Sequence, residues 1–563
     1  MSDKTIKFTG KGNHGLQWRT LPLGCWLMLW LVTGVTNAGE VRPSPPGGLR
    51  ALSRQLRVDL VWEDAANGAS YEVQRATQAG GPFTDLNSHL PRVPIHSDFI
   101  GSAEGEFFYR VRSLRTNQPS QEILRSDWSA PVKGSPRALN ADELPGEIQE
   151  ASFRYDYDFA HPVSGLIREG TGFLPDFCAI GATGMGLFNL GVGVERQFIT
   201  RQQGSDRVLK MLRFLAQKAD RFHGAFPHFL NGRTGQVNPF FDGDDGADLV
   251  ETAFLMQGIL FVREYFSGAN AAETEIRELA NSLWRGVEWD WFAHDEAEGA
   301  ALIWHWSPTR GWRNKLPITG FNECQIVYLL AMVSPTHPVS PKYYWQGWES
   351  KHFGETRTRF GIPLELSHDF GPPLFWTHYS YLGLDPRQVS YHQRSYFEHF
   401  QDLCRVQVRY AESRRGDFKG YGPLWGITAS NGPKGYEPFA PGERDNGTLA
   451  PTAALASMPY VPEASRACLV ELYQRHGARL WGPFGFYDAF NFSRDWVSNN
   501  YLGIDVGPIA PMIENQRTGF CWKTFMRSPE IIHALSLVQE SQRPKPGLPV
   551  GQPENSSEAT KQL

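Results

Sequence analysis

The hydrophobic residues of this 563-residue chain change their spacing between residues 136 and 150. Before this point they alternate with polar residues, as in Val58, Leu60 and Trp62, and Gly, Asn and Ser separate the runs. Alternation with period two predicts strands that bury one face, whereas the period near 3.6 that follows predicts amphipathic helices. We therefore expect an all-β sandwich over 43–135, a linker over 136–150 and a mainly α-helical unit over 151–541.

The helical unit is expected to carry a site on its loops. Helices are predicted over 178–199, 205–219, 247–267, 273–292, 321–333, 393–412, 447–477 and 528–539. Long segments rich in Gly, Pro and Trp separate them, over 221–246, 303–320, 361–390 and 414–447. A simple helical bundle does not need such long connections, and loops of this length commonly build a binding or catalytic site.

The predicted N-terminal sandwich contains Pro45-Pro-Gly, Trp62, Tyr71-Glu-Val, Tyr109-Arg-Val-Arg and a closing segment from Ser126 to Pro131. With these features it resembles a fibronectin type III domain, and hence an immunoglobulin-like fold. Modules of this kind are mostly spacers or adhesive units, so we expect no chemistry from this part.

The ends of the chain have their own patterns. Several lysines, an apolar run over 21–35 and Thr36-Asn-Ala38 predict a signal peptide over 1–38. The run is shorter than a membrane span, so the mature chain is expected to be exported, periplasmic or secreted, with no integral membrane segment. A retained N-terminal anchor is the alternative. The tail over 542–563, rich in Pro, Ser and Gln, is expected to be disordered.

Charge and cysteine usage exclude several classes of function. The formal net charge is -5, so no basic excess favours nucleic acid. Apart from Cys25 there are five cysteines with no paired close spacing, which predicts buried free thiols. No HExxH, P-loop or GxSxG occurs, and the histidines lack metal-ligand spacing: His161, His228, His337, His368 and His378. We expect neither a metal nor a cofactor.

The densest acidic cluster contains Asp244, Asp248 and Glu251. If a helix begins near Asp244, these residues lie at i, i+4 and i+7 and form one stripe. Carboxylates held close together raise one another's pKa, so one can remain protonated and act as a general acid. The alternative is that they stabilise the positive end of a helix, where acidic residues are common.

Three further acids are candidates. Glu323 is expected in the first turn of an apolar helix, after a loop with three tryptophans, which favours a raised pKa. Asp488 and Asp505 lie in an aromatic, Gly-rich region and could face a cleft or cap turns. Hydrolysis of a glycosidic bond commonly uses two carboxyl groups, one as acid and one as base or nucleophile.

Aromatic residues make up 13% of the chain, which suits stacking on sugars but also suits a large core. The candidates for substrate binding are Trp304, Trp306, Trp312, Trp376, Tyr379, Trp425, Tyr487 and Asp488.

Several strings occur in a consistent order over residues 150–540, among them Gly172-Phe-Leu-Pro-Asp176, Phe226-Pro-His-Phe-Leu230, Gly485-Phe-Tyr-Asp-Ala-Phe, Tyr501-Leu-Gly-Ile-Asp505 and Ile513-Glu-Asn-Gln-Arg-Thr-Gly519. In these strings the region resembles the glucoamylase-like domain typified by glycoside hydrolase family 144. The resemblance implies an (α/α)6 toroid and an inverting endo-β-1,2-glucanase. It also implies catalytic roles for Asp244, Asp248, Glu251, Glu323 and Asp505. We expect Glu323 to be the general acid and a carboxylate within 244–251 to orient water.

Other functions remain open at this stage. The chain could transfer glycosyl groups, cut another glucan linkage or bind a glycan without cleaving it. A lyase would need an acidic polymer and a neutralising cation, which the acidic net charge disfavours. The expected partner is a β-glucan polysaccharide or oligosaccharide, and the expected state is a monomer.

Overall fold

The computed structural model describes residues 42–542, except 64–69, 87–92, 117–121, 297–298, 314, 351–352, 354–355 and 367–368. The predicted signal peptide, Cys25, His368 and the predicted tail beyond residue 542 lie outside the described residues. Within the described part of the chain, no helix combines the length and the apolar character that crossing a bilayer requires.

The N-terminal region folds into two antiparallel sheets. Its strands are β1 (Arg50–Arg54), β2 (Arg57–Val61), β3 (Ser70–Ala76), β4 (Thr84–Asp85), β5 (Ile95–Phe99), β6 (Phe107–Thr116), β7 (Ile123–Arg125) and β8 (Val132–Gly134). One sheet has the order β1-β2-β5 and the other β4-β3-β6-β7, with β8 also paired to β6. Alternate residues of β2, β3 and β6, including Val58, Val73 and Val111, are buried in one cluster, as period two predicts.

The sheets pack directly on the helical region through a buried arginine. Arg57 of β2 donates to Glu147 Oε2 at 2.6 Å and to the Tyr473 hydroxyl at 2.5 Å. Its guanidinium also lies 4.4 Å from the ring centroid of Trp481. These partners belong to the helical region, so the sheets are fixed to it by contacts and not only by the connecting chain.

The first helix begins inside the segment predicted as a linker. The helices are α1 (Leu144–Asp158), α2 (Ile180–Glu195), α3 (Arg201–Gln217), α4 (Leu249–Tyr265), α5 (Ala271–Arg285), α6 (Gln325–Met332), α7 (Tyr396–Ser413), α8 (Pro451–Ala456), α9 (Pro462–Leu480), α10 (Gly503–Val506), α11 (Ile509–Arg517), α12 (Phe520–Phe525) and α13 (Pro529–Gln542). The linker prediction is therefore wrong from Leu144 onward, where Pro145 occupies the first turn of α1, a position that suits proline. The single helix predicted over 447–477 is two helices, because Pro462 starts a new one.

Short strands lie in the loops between the helices. They are β9 (Phe177–Ala179), β10 (Phe229–Asn231), β11 (Ala247–Asp248), β12 (Ala293–Glu296), β13 (Gly299–Ile303), β14 (His305–Trp306), β15 (Pro317–Ile318), β16 (Arg357–Arg359), β17 (Ile362–Leu364), β18 (Ser390–Tyr391), β19 (Arg394–Ser395), β20 (Ala429–Gly432), β21 (Gly435–Pro438), β22 (Trp481–Gly482), β23 (Gly485–Phe486), β24 (Phe490–Asn491) and β25 (Trp496–Val497). They form two-stranded sheets except for the three-stranded sheet β12-β13-β15. Pairing of β11 with β14 brings Asp248 opposite His305.

Helices α2 and α4 lie against each other in the core. A Cβ atom on Gly184 would meet the Phe254 carbonyl oxygen at 2.2 Å, and one on Gly258 would meet the Gly184 carbonyl oxygen at 2.2 Å. Glycine at these two positions lets the backbones touch. This close approach also sets the first turn of α4 beside the first turn of α2. The cysteines Cys178, Cys324, Cys404, Cys468 and Cys521 are buried and free, as predicted.

Candidate active site

Asp248 caps the N-terminus of α4, and the helix does not begin near Asp244 as the stripe hypothesis required. The Asp248 Oδ1 atom accepts from Val250 N at 3.0 Å and from Glu251 N at 2.9 Å. Asp244 lies in the turn before strand β11. The stripe is therefore wrong, because Asp248 satisfies the free amides of the first turn and fixes the helix start there.

Glu251 points from the first turn of α4 toward α2. Its Oε2 atom accepts from Gly181 N at 2.6 Å, and Gly181 has no side chain that would obstruct this contact. Burial raises the pKa of Glu251 well above its usual range, and the nearby charges of Asp248 and Glu169 raise it further. The buried carboxyl therefore tends to keep its proton.

Two histidines and a tryptophan surround the second oxygen of Asp248. Trp304 Nε1 donates to Oδ2 at 3.1 Å, while the Nδ1 atoms of His228 and His305 lie 3.5 and 3.4 Å from it. Burial lowers the pKa of both histidines to about 4, so both rings are neutral at pH 7. Burial raises the pKa of Asp248, and the interaction with His228 and the hydrogen bonds from Trp304 and two backbone amides oppose that effect.

Glu323 is buried in the turn before helix α6, which begins at Gln325, so the prediction that Glu323 lies in the first turn of this helix is wrong. Ser380 Oγ donates to the Glu323 carbonyl oxygen and also accepts from Ile326 N, which fixes the start of the helix. Burial raises the pKa of the Glu323 carboxyl to about 7, and the charge of Asp248 adds to the effect. Such a group holds a proton near neutral pH and can donate it.

Asp244 is the second acid of this kind. It is 5% exposed, and its Oδ2 atom accepts from Phe240 N at 3.0 Å. Burial raises its pKa to about 7, and the charges of Asp248 and Asp245 contribute to the shift. Glu251 interacts electrostatically with Asp248 and Asp244, and Glu323 interacts with Asp248. These four acids come from three separate parts of the chain: the turn before β11, the start of α4 and the turn before α6.

Asp488 and Asp505 form a second acidic group close to the first. The two carboxyl groups interact directly with each other, and burial raises the pKa of both. The Tyr379 hydroxyl donates to Asp505 Oδ1 at 3.3 Å, and Tyr379 also interacts electrostatically with Glu323 and Glu251. The structure therefore brings all the predicted acids into one region.

Glu169 is a member of the cluster that the sequence pattern did not reveal. Burial raises its pKa to about 8, and the charge of Asp488 adds to this. It interacts with Glu251 on one side and with Asp505 on the other, so it connects the two groups. A lone Glu between Arg168 and Gly170 has no periodicity or motif, so no sequence signal was available. His305 likewise lies in no motif. His228 lacks the spacing of a metal ligand, so the sequence does not predict its position beside Asp248.

Three predicted tryptophans line the region around Asp248 and the surface beyond it. Trp304 contacts Asp248 directly. Trp306 lies 6.2 Å from Trp291 between ring centroids, and Trp312 lies 6.2 Å from the same ring. Trp291 is 40% exposed, so this aromatic group reaches the surface. These three predicted positions remain candidates for contact with a sugar.

The other aromatic candidates divide into two groups. Trp376 packs against Phe321, near Glu323, and Tyr379 positions Asp505. In contrast, Trp425 is 3% exposed and its Nε1 atom donates to the Ala464 carbonyl oxygen at 3.3 Å. Trp425 belongs to the core, so its proposed sugar contact is wrong. Tyr487 packs against Tyr501, with ring centroids 5.1 Å apart.

The arrangement suits acid and base catalysis without a metal ligand set. Buried carboxyl groups with raised pKa values can supply a proton at neutral pH. Neighbouring carboxylates that accept hydrogen bonds from backbone amides can act as bases. Among the described residues, no group of three or more His, Cys, Asp and Glu side chains is arranged to hold a metal ion.

Comparison with known proteins agrees with this chemistry. Residues 315–529 match the Glycoamylase family model, described as "Putative glucoamylase". The chain is 37% identical over 511 residues to the "Exo beta-1,2-glucooligosaccharide sophorohydrolase (non-reducing end)" of Parabacteroides distasonis, with 87% of this chain and 70% of that protein covered.

Two solved structures extend the comparison. The β-1,2-glucanase from Parabacteroides distasonis is 36% identical, with a TM-score of 0.83 over 89% of this chain and 74% of that one. The endo-β-1,2-glucanase from Chitinophaga pinensis, in complex with sophorotriose and glucose, is 42% identical, with a TM-score of 0.68 over 71% of this chain and 98% of that one. The chain therefore belongs to the glucoamylase-like family of glycoside hydrolases.

Proposed function

We propose that this protein hydrolyses the β-1,2-glucosidic linkages of a β-glucan. The observation that carries the proposal is the buried Glu323 carboxyl. This group lies beside several other acids, and its pKa is raised to about 7. The linkage follows from the relatives, which are named for cleavage of β-1,2-glucans or their oligosaccharides.

In the proposed mechanism Glu323 protonates the leaving oxygen and a carboxylate of 244–251 orients the attacking water. Asp244 suits the second role best, because only its Oδ2 atom is engaged by a backbone amide. Asp248 is less suitable, since it accepts from two amides and from Trp304. We expect inversion, with the water on the face opposite the leaving group.

The position of the cut is a separate part of the proposal. Cleavage of internal linkages is our first expectation, from the family resemblance. Release of a disaccharide from the chain end is the second candidate. It is favoured because the exo-acting relative aligns with 87% of this chain, whereas the endo-acting structure aligns with 71%.

The proposal includes the setting in which the enzyme works. We infer an (α/α)6 toroid, supported by the packed α2 and α4 helices at the centre of the helical region and by the family. We also infer export after cleavage behind Ala38 and a monomeric state. N-terminal sequencing of the mature protein and light scattering test these two inferences.

The test is incubation of the purified protein with linear β-1,2-glucan beside β-1,3-, β-1,4- and α-glucans. We expect products from the β-1,2 polymer alone. A ladder of oligosaccharides at early times identifies internal cleavage, and a single disaccharide product identifies action at the chain end. Release from another glucan would refute the linkage, longer products would indicate glycosyl transfer, and intact polymers would indicate binding alone.

A further inference from the structure

The hairpin formed by β20 and β21 is attached to the acidic cluster through its backbone. Asn431 N donates to Asp488 Oδ2 at 2.8 Å. Asn431 pairs directly with Tyr436 across the two strands. Side chains of directly paired residues stand on the same face of a sheet, with Cβ atoms about 5 Å apart. The position of Tyr436 is therefore tied to that of Asp488.

Tyr436 is a large aromatic residue at the surface beside these acids. It is 47% exposed, although it interacts electrostatically with Asp505, Asp488, Glu169 and Glu323. Those interactions connect it to both acidic groups of the site. An aromatic ring that is open to solvent and close to buried acids has a free face available to a ligand.

The hairpin is held firmly from below. A Cβ atom on Gly432 would lie 2.6 Å from the Phe439 ring, which is itself 2% exposed. Phe439 thus packs tightly under the turn of the hairpin. A rigid base matters because a stacking residue contributes most when it is positioned before the ligand arrives.

We propose that Tyr436 is a sugar-stacking platform that holds one glucosyl residue of the substrate over the Asp488 and Glu323 side of the site. The proposal rests on the proposed function. Aromatic rings bury the apolar C–H face of a sugar ring while polar groups fix its orientation, and here the acids supply the polar groups. Tyr436 acts in binding, and it does not exchange a proton with the substrate.

The test combines steady-state kinetics with binding to an inactive enzyme. We expect Tyr436→Ala to raise KM on β-1,2-glucan about tenfold while kcat changes less than about threefold, because stacking on the substrate is uniform binding. Tyr436→Phe should restore most of the affinity, since it keeps the ring. The control is Phe360→Ala, a residue 46% exposed in the β16–β17 turn that packs on Phe370.

Calorimetric titration with a β-1,2-linked glucopentaose in a Glu323→Gln background measures binding apart from turnover. Tenfold weaker binding with Tyr436→Ala, and unchanged binding with Phe360→Ala, supports the proposal. Equal KM and equal affinity with and without the Tyr436 ring overturns it, as does absence of oligosaccharide binding. If the wild type cleaves nothing but binds through Tyr436, the proposed function fails and the platform stands.

Discussion

The buried carboxyl groups of Asp488 and Asp505 interact directly with each other. Two carboxylates cannot both be ionised at such a contact without strong repulsion, so the pair retains a proton. Tyr379 donates to Asp505 and the Asn431 amide donates to Asp488. The pair therefore connects Tyr379, which interacts with Glu323, to the β20–β21 hairpin that contains Tyr436.

The shared proton predicts different effects for two substitutions at position 505. In Asp505→Asn the amide N–H replaces the carboxyl O–H, so the free energy of unfolding should change by less than about 1 kcal/mol. Asp505→Leu leaves an Asp488 oxygen buried without its donor, at a cost of about 1 to 3 kcal/mol. Denaturant unfolding measures both, and equal losses would contradict a shared proton.

Removal of the acidic proton from Glu323 should abolish most of the activity. We expect Glu323→Gln to lower kcat about 100-fold or more, because an amide cannot protonate the leaving oxygen. The matched control is Glu275→Gln, at an exposed ion pair with Arg213, which should leave kcat unchanged. Full turnover by Glu323→Gln would remove Glu323 from the mechanism.

The two glutamates with raised pKa values should stabilise the protein less as the pH rises from 5 to 8. Burial raises the pKa of Glu323 to about 7 and that of Glu169 to about 8. In this window both groups bind more protons in the folded state than in the unfolded state, so their contribution to the free energy of unfolding decreases with pH, whereas His228 and His305, which are neutral in the folded state, contribute in the opposite sense. Glu323 alone contributes a loss on the order of 3 kcal/mol.

Denaturant titrations at several pH values check this dependence. The free energy of unfolding of the wild type minus that of the Glu323→Gln variant should fall between pH 5 and pH 8, because the substituted side chain does not titrate. A difference that stays constant over this range would show that the pKa of Glu323 is not raised in the folded protein.

A methyl group at Gly181 should impair catalysis although no acid is replaced. Its Cβ atom would lie 2.4 Å from Glu251 Oε2, so Gly181→Ala must displace the carboxyl that accepts the Gly181 amide. We expect kcat to fall about tenfold or more, since small displacements of catalytic groups are costly. The control, Gly146→Ala in α1, has open space around the new methyl group and should stabilise the helix by about 0.5 to 1 kcal/mol.

Loss of the buried arginine between the sheets and the helices should destabilise the protein. Arg57→Ala leaves the buried Glu147 and Asp59 carboxylates without their main partner, at a cost of about 3 to 5 kcal/mol. Arg154→Ala, which removes a half-exposed helix pair, should cost less than about 1 kcal/mol. Thermal unfolding with equal midpoints for both variants would show that the sheets are held independently of Arg57.

The strand and helix regions and the main acids could be predicted from the sequence, because these depend on local spacing. Period two marked β2, and the 3.6 period marked α4 and α7. Acidic residues beside apolar helices identified Asp248, Glu251 and Glu323, and family strings strengthened that choice. The prediction that the helix begins near Asp244 is wrong for the same reason. Several acidic residues precede α4, and local spacing does not show that Asp248 is the one that caps it.

Tertiary structure decided which of these groups meet and how they titrate. Glu251 reaches Gly181, Asp505 reaches Asp488, and Glu169 connects both groups, although each pair is distant along the chain. Trp304 and Trp425 are the same residue type, yet one contacts Asp248 and the other fills the core. The physical reason is that burial and the approach of distant charges set each pKa and each contact, and local spacing contains neither.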